Sequence, residues 1–416
     1  MKTHSNLIQK TFLFLLVFSF ITCKKKADDP IQDAPIYLES AWKIEGFPGK
    51  LIGLSKAGHL VVAESDNAAG QFRLLDAQTG APLWVWKELD GGDKNILLES
   101  AQISNDLLLF NGSENRTYAV NLMTGKTVWK HHFVNKESND YLFKDNKDNI
   151  YRVVFEPNKK YSQSIVRTNI YRPEWEEICV FQDTSQTLDN MEISNVMYVA
   201  HAGKESLLFT LSNGNSLPVV AMYFGYDLKA KIYRAWTGQT NYLTGFVPNK
   251  NLIIKGMAYV LGTEPRGEVL MAMDMDEGSF KFLKLLRKTG YNLFQNFNVV
   301  VVALGAKDSL GSASLQSFDY ANGTSTGNYE FNGQFKPDFL FNRSNAVKEE
   351  NFIFSTQCKS VVAININNLT PTLEMFFTDN SICANAAPII NREKRLLFVQ
   401  SGNFIHAVKV PNSVNF

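Results

Sequence analysis

Few residues of this sequence are spaced for chemistry. His131 and His132 are adjacent. Two imidazoles share a metal ion only when both face it, and neighbouring side chains of a strand point to opposite faces. The pair therefore reads as part of an exposed strand. Asp274, Asp276 and Gly278 set two carboxylates ahead of a glycine, as the start of a calcium loop does. A third oxygen ligand before the glycine and the later bidentate Glu are missing, so the segment reads as a turn. No phosphate-binding G-x-x-x-x-G-K loop, H-E-x-x-H helix or G-x-S-x-G elbow occurs. The sequence assigns no catalytic residue, no metal ligand and no cofactor, and the expectation is a protein that is not an enzyme.

The cysteines suggest an anchor. Lys2 and Lys10 precede an apolar run, Thr11–Thr22, that stops at Cys23. A basic start and a short apolar stretch make a signal sequence. The run is shorter than the ~20 residues of a membrane-crossing helix. Residues 1–22 look like a lipoprotein signal, with Cys23 as the site of lipidation. Residues 23–35 are charged, contain proline and lack periodicity, as a flexible tether does. Asp28 and Asp29 resemble the acidic signals that carry some lipoproteins to the cell surface. The expected location is the outer membrane, with its periplasmic and outer sides both open. Cys179, Cys358 and Cys383 cannot all pair with one another. They read as buried small hydrophobes, with a Cys358–Cys383 bridge between neighbouring repeats as the alternative.

The elements that must position any site read as strands. Hydrophobic residues make up 45% of the chain, enough for a full core, and 30 Phe and 15 Tyr suit strands. Lys and Arg number 42 against 41 Asp and Glu, so the basic footprint of a nucleic-acid binder is missing. No stretch beyond the signal has helical periodicity. His59–Ala63, Asp106–Phe110, Leu252–Lys255 and Arg395–Val399 are apolar runs flanked by turn residues, as strands are.

A repeat organises these strands. Asp76, Gly80 and Trp84 are followed 45 residues later by Asn121, Gly125 and Trp129. The Asp or Asn caps a turn through local backbone hydrogen bonds. The Gly takes the positive φ, and the Trp opens the next strand, able to lie across a neighbouring repeat. Weaker copies have Arg167 with Trp175, Asp227 with Trp236, Asp274 and Gly278 with Phe282, and Asp319 and Gly323 with Tyr329. Asn365 keeps the Asn without the Gly, and Lys409 marks an eighth copy. The long step from Arg167 to Asp227 implies an insertion within Gln182–Glu192. The chain ends before the last repeat supplies its outer strand, and Tyr37–Glu45, with Trp42, matches the missing piece. The prediction is an all-β fold over residues 36–416. Eight four-stranded antiparallel units, seven as the fallback, form a ring closed by the N-terminal strand.

The motif resembles the tryptophan-docking repeat of the pyrroloquinoline-quinone (PQQ)-type β-propellers. Their enzymes carry an adjacent Cys-Cys pair, a calcium site and longer loops, none of which is present, so the resemblance implies the fold without the quinone site. Lipid-anchored members include the accessory lipoprotein of the outer-membrane β-barrel assembly machinery, similar in anchor, length and build. The expected function is that of a non-catalytic, membrane-anchored scaffold that binds another envelope protein as a monomer. A surface lipoprotein that binds a glycan or small ligand is the alternative, and a quinoprotein-like enzyme the remote one.

Overall fold

The computed structural model describes residues 35–64, 70–138, 141–157, 162–182, 192–212, 221–236, 252–264, 267–277, 279–286, 288–305, 314–330, 346–384 and 386–414. The expected signal segment 1–22, Cys23, Asp28, Asp29, Gly278 and nearly all of the expected insertion lie outside the described residues. Apart from Pro35 and Ile36, the described residues belong to one compact unit, Tyr37–Phe416.

Every regular element among the described residues is a β-strand. In five of the sheets among the described residues the strands pair antiparallel in chain order, so each of these is a run of hairpins. Sheet one spans residues 49–86, sheet two 96–132 and sheet three 137–182. Sheet four spans 192–236, sheet five 252–285 and sheet six 289–330. A double sheet of eight strands follows, made of residues 346–377 and 389–409 with the N-terminal strand Ile36–Ile44 between them.

The core lies between sheets. Leu60–Glu64, Leu107–Gly112 and Leu396–Ser401 are almost wholly buried, because neighbouring sheets cover both their faces. Val61, Phe72 and Trp86 of sheet one pack with Leu108, Phe110 and Tyr118 of sheet two. Similar clusters join sheets three and four, four and five, and five and six. Each fully buried Val, Leu or Phe contributes about 1.5–3 kcal/mol. The outer strands alternate instead: in Thr127–His132, Trp129 is buried while Val128 and Lys130 face water.

The N-terminal strand closes the array, as its Trp predicts. Ile36–Ile44 pairs antiparallel with Phe404–Lys409, Trp42 opposite Ala407, across a bulge between Ser40 and Trp42. Leu60, Val62 and Leu75 of sheet one share a cluster with Leu396, Phe398 and Ile405 of the double sheet. The other half of the strand lies beside Thr370–Phe377, and the Thr378 N–H and hydroxyl both donate to the Leu38 carbonyl, at 3.2 and 3.1 Å.

The cysteine expectation needs correction. Cys358 and Cys383 form a disulfide, and Cys383 is exposed. Main-chain hydrogen bonds from Lys359 to Ile382 and from Phe377 to Lys359 bring the two segments together. Among the described residues, Cys179 is a buried free thiol.

Candidate functional site

The repeat turn is a local device. Asp76 Oδ1 accepts the N–H groups of Gln78 and Thr79 at 3.0 and 2.9 Å and the Thr79 hydroxyl at 2.9 Å. Asn121 Oδ1 does the same for Met123 and Thr124, Asp274 Oδ1 for Asp276 and Glu277, and Asp319 Oδ1 for Ala321 and Asn322. Burial raises the pKa of Asp76, but the Thr79 and Gln78 hydrogen bonds and the charge of His59 outweigh it, and the carboxyl stays below its ordinary value. These carboxylates are committed to their own turns. Asp276 pairs with Lys204 and His201 of the preceding sheet at 3.2 and 3.8 Å, so Asp274–Glu277 is a turn, as expected.

The indoles dock between sheets in one direction. Trp84 Nε1 donates to the Leu122 carbonyl at 2.8 Å, and its ring lies on Gly125, whose φ is 66°. A Cβ on Gly125 would stand 2.7 Å from that ring. Trp129 donates to the Ile170 carbonyl at 2.6 Å. Trp42 of the N-terminal strand donates to the Ala77 carbonyl at 2.8 Å and lies on Gly80, joining the last sheet to the first. In each case the acceptor belongs to the residue after the Asp or Asn.

At two later junctions other residues divide this work. Phe282 covers Gly323 as an indole would, while the Tyr259 hydroxyl donates to the equivalent carbonyl, that of Tyr320. Farther on, the Asn296 amide donates to the Ile366 carbonyl at 3.3 Å. Tyr259 and Asn296 carry no motif that the sequence reading used.

The third copy is where the expected register fails. Asn149 pairs with Asn169 as Leu107 pairs with Asn121, and Asn169 Oδ1 caps the turn by accepting the Tyr171 N–H at 3.0 Å. The marker is therefore Asn169, not Arg167. The docking position is opposite the residue two before the marker: Leu74 with Trp84, Ala119 with Trp129, and here Arg167 with Glu176. Trp175 is one residue off, so its side chain leaves by the other face. It packs back on Phe133 and His131, with ring centroids 4.9 and 5.6 Å away. His131 is half-buried and His132 exposed, on opposite faces as expected, and burial holds the His131 pKa down. The fourth and sixth copies shift too, with Arg234 and Gly327 at the docking position rather than Trp236 and Tyr329.

A cleft of about 580 Å³ opens where the docking indole is lacking. Its floor is the hairpin that carries Asp145, Lys147 and Asn149. Asp145 is buried and accepts hydrogen bonds from the Lys147 and Asn149 N–H groups and the Tyr151 hydroxyl. Lys147 forms an ion pair with Glu205 of sheet four, and the Glu205 carbonyl receives the Leu228 N–H. Arg167 is held by Glu176, Nε to Oε1 at 2.7 Å. Burial lowers the Arg167 pKa, but Glu176 and Tyr151 outweigh it and net raise it, so the guanidinium keeps its charge. Arg172, Glu174 and Trp175 complete the wall. Its lining of carboxylates, amides, a lysine and two guanidinium groups offers hydrogen-bond donors and acceptors. Among the described residues, no group of three or more His, Cys, Asp and Glu stands ready to hold a metal.

The architecture matches known ring folds. The chain is similar to the Dos1 propeller, with 9% identity over 91% of this chain and 96% of that one and a TM-score of 0.61. The fold is a β-propeller. BamB from Moraxella catarrhalis is 12% identical over 90% of this chain and the whole of that one, with a TM-score of 0.50. A europium-containing methanol dehydrogenase is 10% identical over 87% and 84%, with a TM-score of 0.54. These neighbours agree with the PQQ-type repeat read from the sequence, and the likeness concerns the fold alone. No protein-family model and no curated protein matches the chain.

Proposed function

We propose that this chain is a non-catalytic propeller scaffold of eight blades, lipid-anchored at Cys23 in the outer membrane, that binds another envelope protein. The observation that carries the reading is the use of the repeated carboxylates. Asp76, Asp274 and Asp319 each spend their Oδ1 on two turn amides, so the repeated carboxylates serve the blade turns. The likeness to BamB supports the same build at the level of fold. The Cys358–Cys383 disulfide supports residence outside the reducing cytosol. Residues 1–22 act as the signal and 23–35 as the tether in this reading.

Two experiments on cells test it. Radiolabelled palmitate should enter the wild-type chain and not the Cys23→Ala variant, which should move to the soluble fraction. Photo-crosslinkers placed on exposed turns should trap a discrete envelope protein, and protease added to intact cells distinguishes the two sides of the membrane. A palmitate-free chain, or one that crosslinks to nothing above background, contradicts the proposal.

A further inference from the structure

We propose that the face of the ring formed by the repeat turns rests on the surface of an anionic lipid bilayer. The proposal rests on the lipid anchor at Cys23 and adds the face that meets the membrane. Within a sheet, the turn between the first two strands and the turn between the last two are tied by a main-chain bond. The Leu122 N–H donates to the Asp106 carbonyl at 2.8 Å, and the Tyr320 N–H to the Asn298 carbonyl at 3.0 Å. Between sheets, Asn105 Nδ2 donates to Asp148 Oδ1 at 2.8 Å, Lys255 Nζ to Asn298 Oδ1 at 2.8 Å, and Asn391 Nδ2 to the Gly58 carbonyl at 2.7 Å. The turns thus share one face. The N-terminal strand starts on it: Glu39 pairs with Lys409, and the next residue, Val410, donates its N–H to the Arg395 carbonyl in the turn after Ile389–Asn391. A tether that joins the strand at Tyr37 holds this face nearer to the bilayer than the opposite one.

The tips of the turns fit a lipid surface. Met123 and Phe297 are 79% and 78% exposed, the highest values among the large hydrophobic residues described. Phe297 sits in a two-residue turn at a φ of 50°, where a bulky side chain is strained. Strain and exposure both cost stability, and contact with an apolar phase offsets them. Met123 shares its turn with Lys126, and the exposed Ile232 follows Lys229 and Lys231. Lys56, Lys126, Lys229 and Lys231 are exposed and have no ion pair among the described residues. On the same face Glu205, Asp276, Glu277 and Glu350 are each paired with a Lys or Arg. Apolar tips beside free ammonium groups match acyl chains beneath anionic headgroups. The tips stand on sheets two, four and six, spread around the ring, so one partner that meets them all must be broad and flat, as a bilayer is.

The test places the full chain, with its own anchor, on phosphatidylcholine vesicles with and without phosphatidylglycerol. A polarity-sensitive fluorophore is attached in turn to Met123→Cys, Phe297→Cys and Val134→Cys. Val134 is exposed in the link that leaves sheet two at the opposite end of its outer strand. The expected result is a blue shift and quenching by nitroxide lipids at positions 123 and 297, stronger with phosphatidylglycerol, and neither effect at 134. Phe297→Asn accepts the turn angle, so it should raise the melting temperature and yet weaken the quenching at 123 severalfold. Lys229→Gln with Lys231→Gln should weaken the dependence on phosphatidylglycerol and leave the melting temperature unchanged. A chain that floats with the vesicles while all three probes stay in water keeps the anchor and overturns the proposal. Stronger quenching at 134 than at 123 overturns it as well. A chain that does not float even with anionic vesicles contradicts the anchor and the proposal together.

Discussion

Leu369 stands over Gly327, its Cδ1 3.5 Å from where a Cβ on that glycine would sit. This inverts the arrangement at Trp84 and Gly125. Leu369 occupies the turn position that Gly80, Gly125 and Gly323 hold in other copies, at a φ of 60°. Gly327 occupies the docking position that Trp84 and Trp129 hold. The bulky group has moved from the strand to the turn, and the space between sheets is filled either way. Exchange of the two should therefore be cooperative. Gly327→Trp alone should cost about 1–3 kcal/mol by overpacking, and Leu369→Gly alone about 1–3 kcal/mol, the cost of the cavity less the left-handed strain that the glycine relieves. The double variant should recover part of both losses in a denaturant-melt cycle. Strict additivity would show that the two residues do not share one space.

The glycines under indoles carry a second burden beyond their backbone angle. Gly125→Ala and Gly203→Ala both force a side chain into the left-handed region, at φ of 66° and 78°, which costs about 1–2 kcal/mol. Nothing lies within 4 Å of a Cβ at Gly203, whereas at Gly125 the Trp84 ring must move. Gly125→Ala should thus be the more destabilising by about a further 1–3 kcal/mol. Equal melting temperatures for the two variants would argue against the stacking account.

The Cys358–Cys383 bond closes a loop with a sequence separation of 25. Such a loop is worth about 3 kcal/mol through the unfolded chain. Reductant should lower the thermal midpoint of the wild type. The Cys358→Ser, Cys383→Ser pair should melt at that lower temperature with or without reductant. A midpoint indifferent to reductant would place the stabilisation elsewhere.

His131 and His406 give the chain a weakness to mild acid. Burial holds both below their ordinary value of 6.5. Arg152 and His132 add repulsion at His131, while Asp379 partly offsets the effect at His406 and Lys43 reinforces it. A lowered native pKa means that the unfolded chain takes the proton first. Stability should be full above about pH 6.5 and fall as the pH drops from there through the native values. Melts between about pH 5 and 7.5 should show the slope, and His406→Gln should flatten it. A level profile across that window would contradict the burial account.

What the sequence determined by itself is what acts over a few residues. An Asp or Asn that caps the amides two and three positions on, a Gly at positive φ and a strand-opening Trp are all written within nine positions, so the turns at Asp76 and Asn121 were legible. Ring closure was legible for the same reason: Trp42 carries the docking chemistry, and only the last repeat lacked a strand for it. The third copy was misread because Arg167 and Trp175 reproduce the spacing of Asp76 and Trp84 by coincidence. Only the pairing of Asn149 with Asn169 shows that the turn is shortened. A one-residue slip in a strand sends each side chain to the opposite face. That slip exposes Glu176 where an indole was expected, and the cleft follows from it. The disulfide, the Tyr259 and Asn296 donors and the Gly327–Leu369 exchange belong to the tertiary structure as well. Each joins residues at least 25 positions apart, whose proximity depends on how whole sheets pack rather than on any local signal.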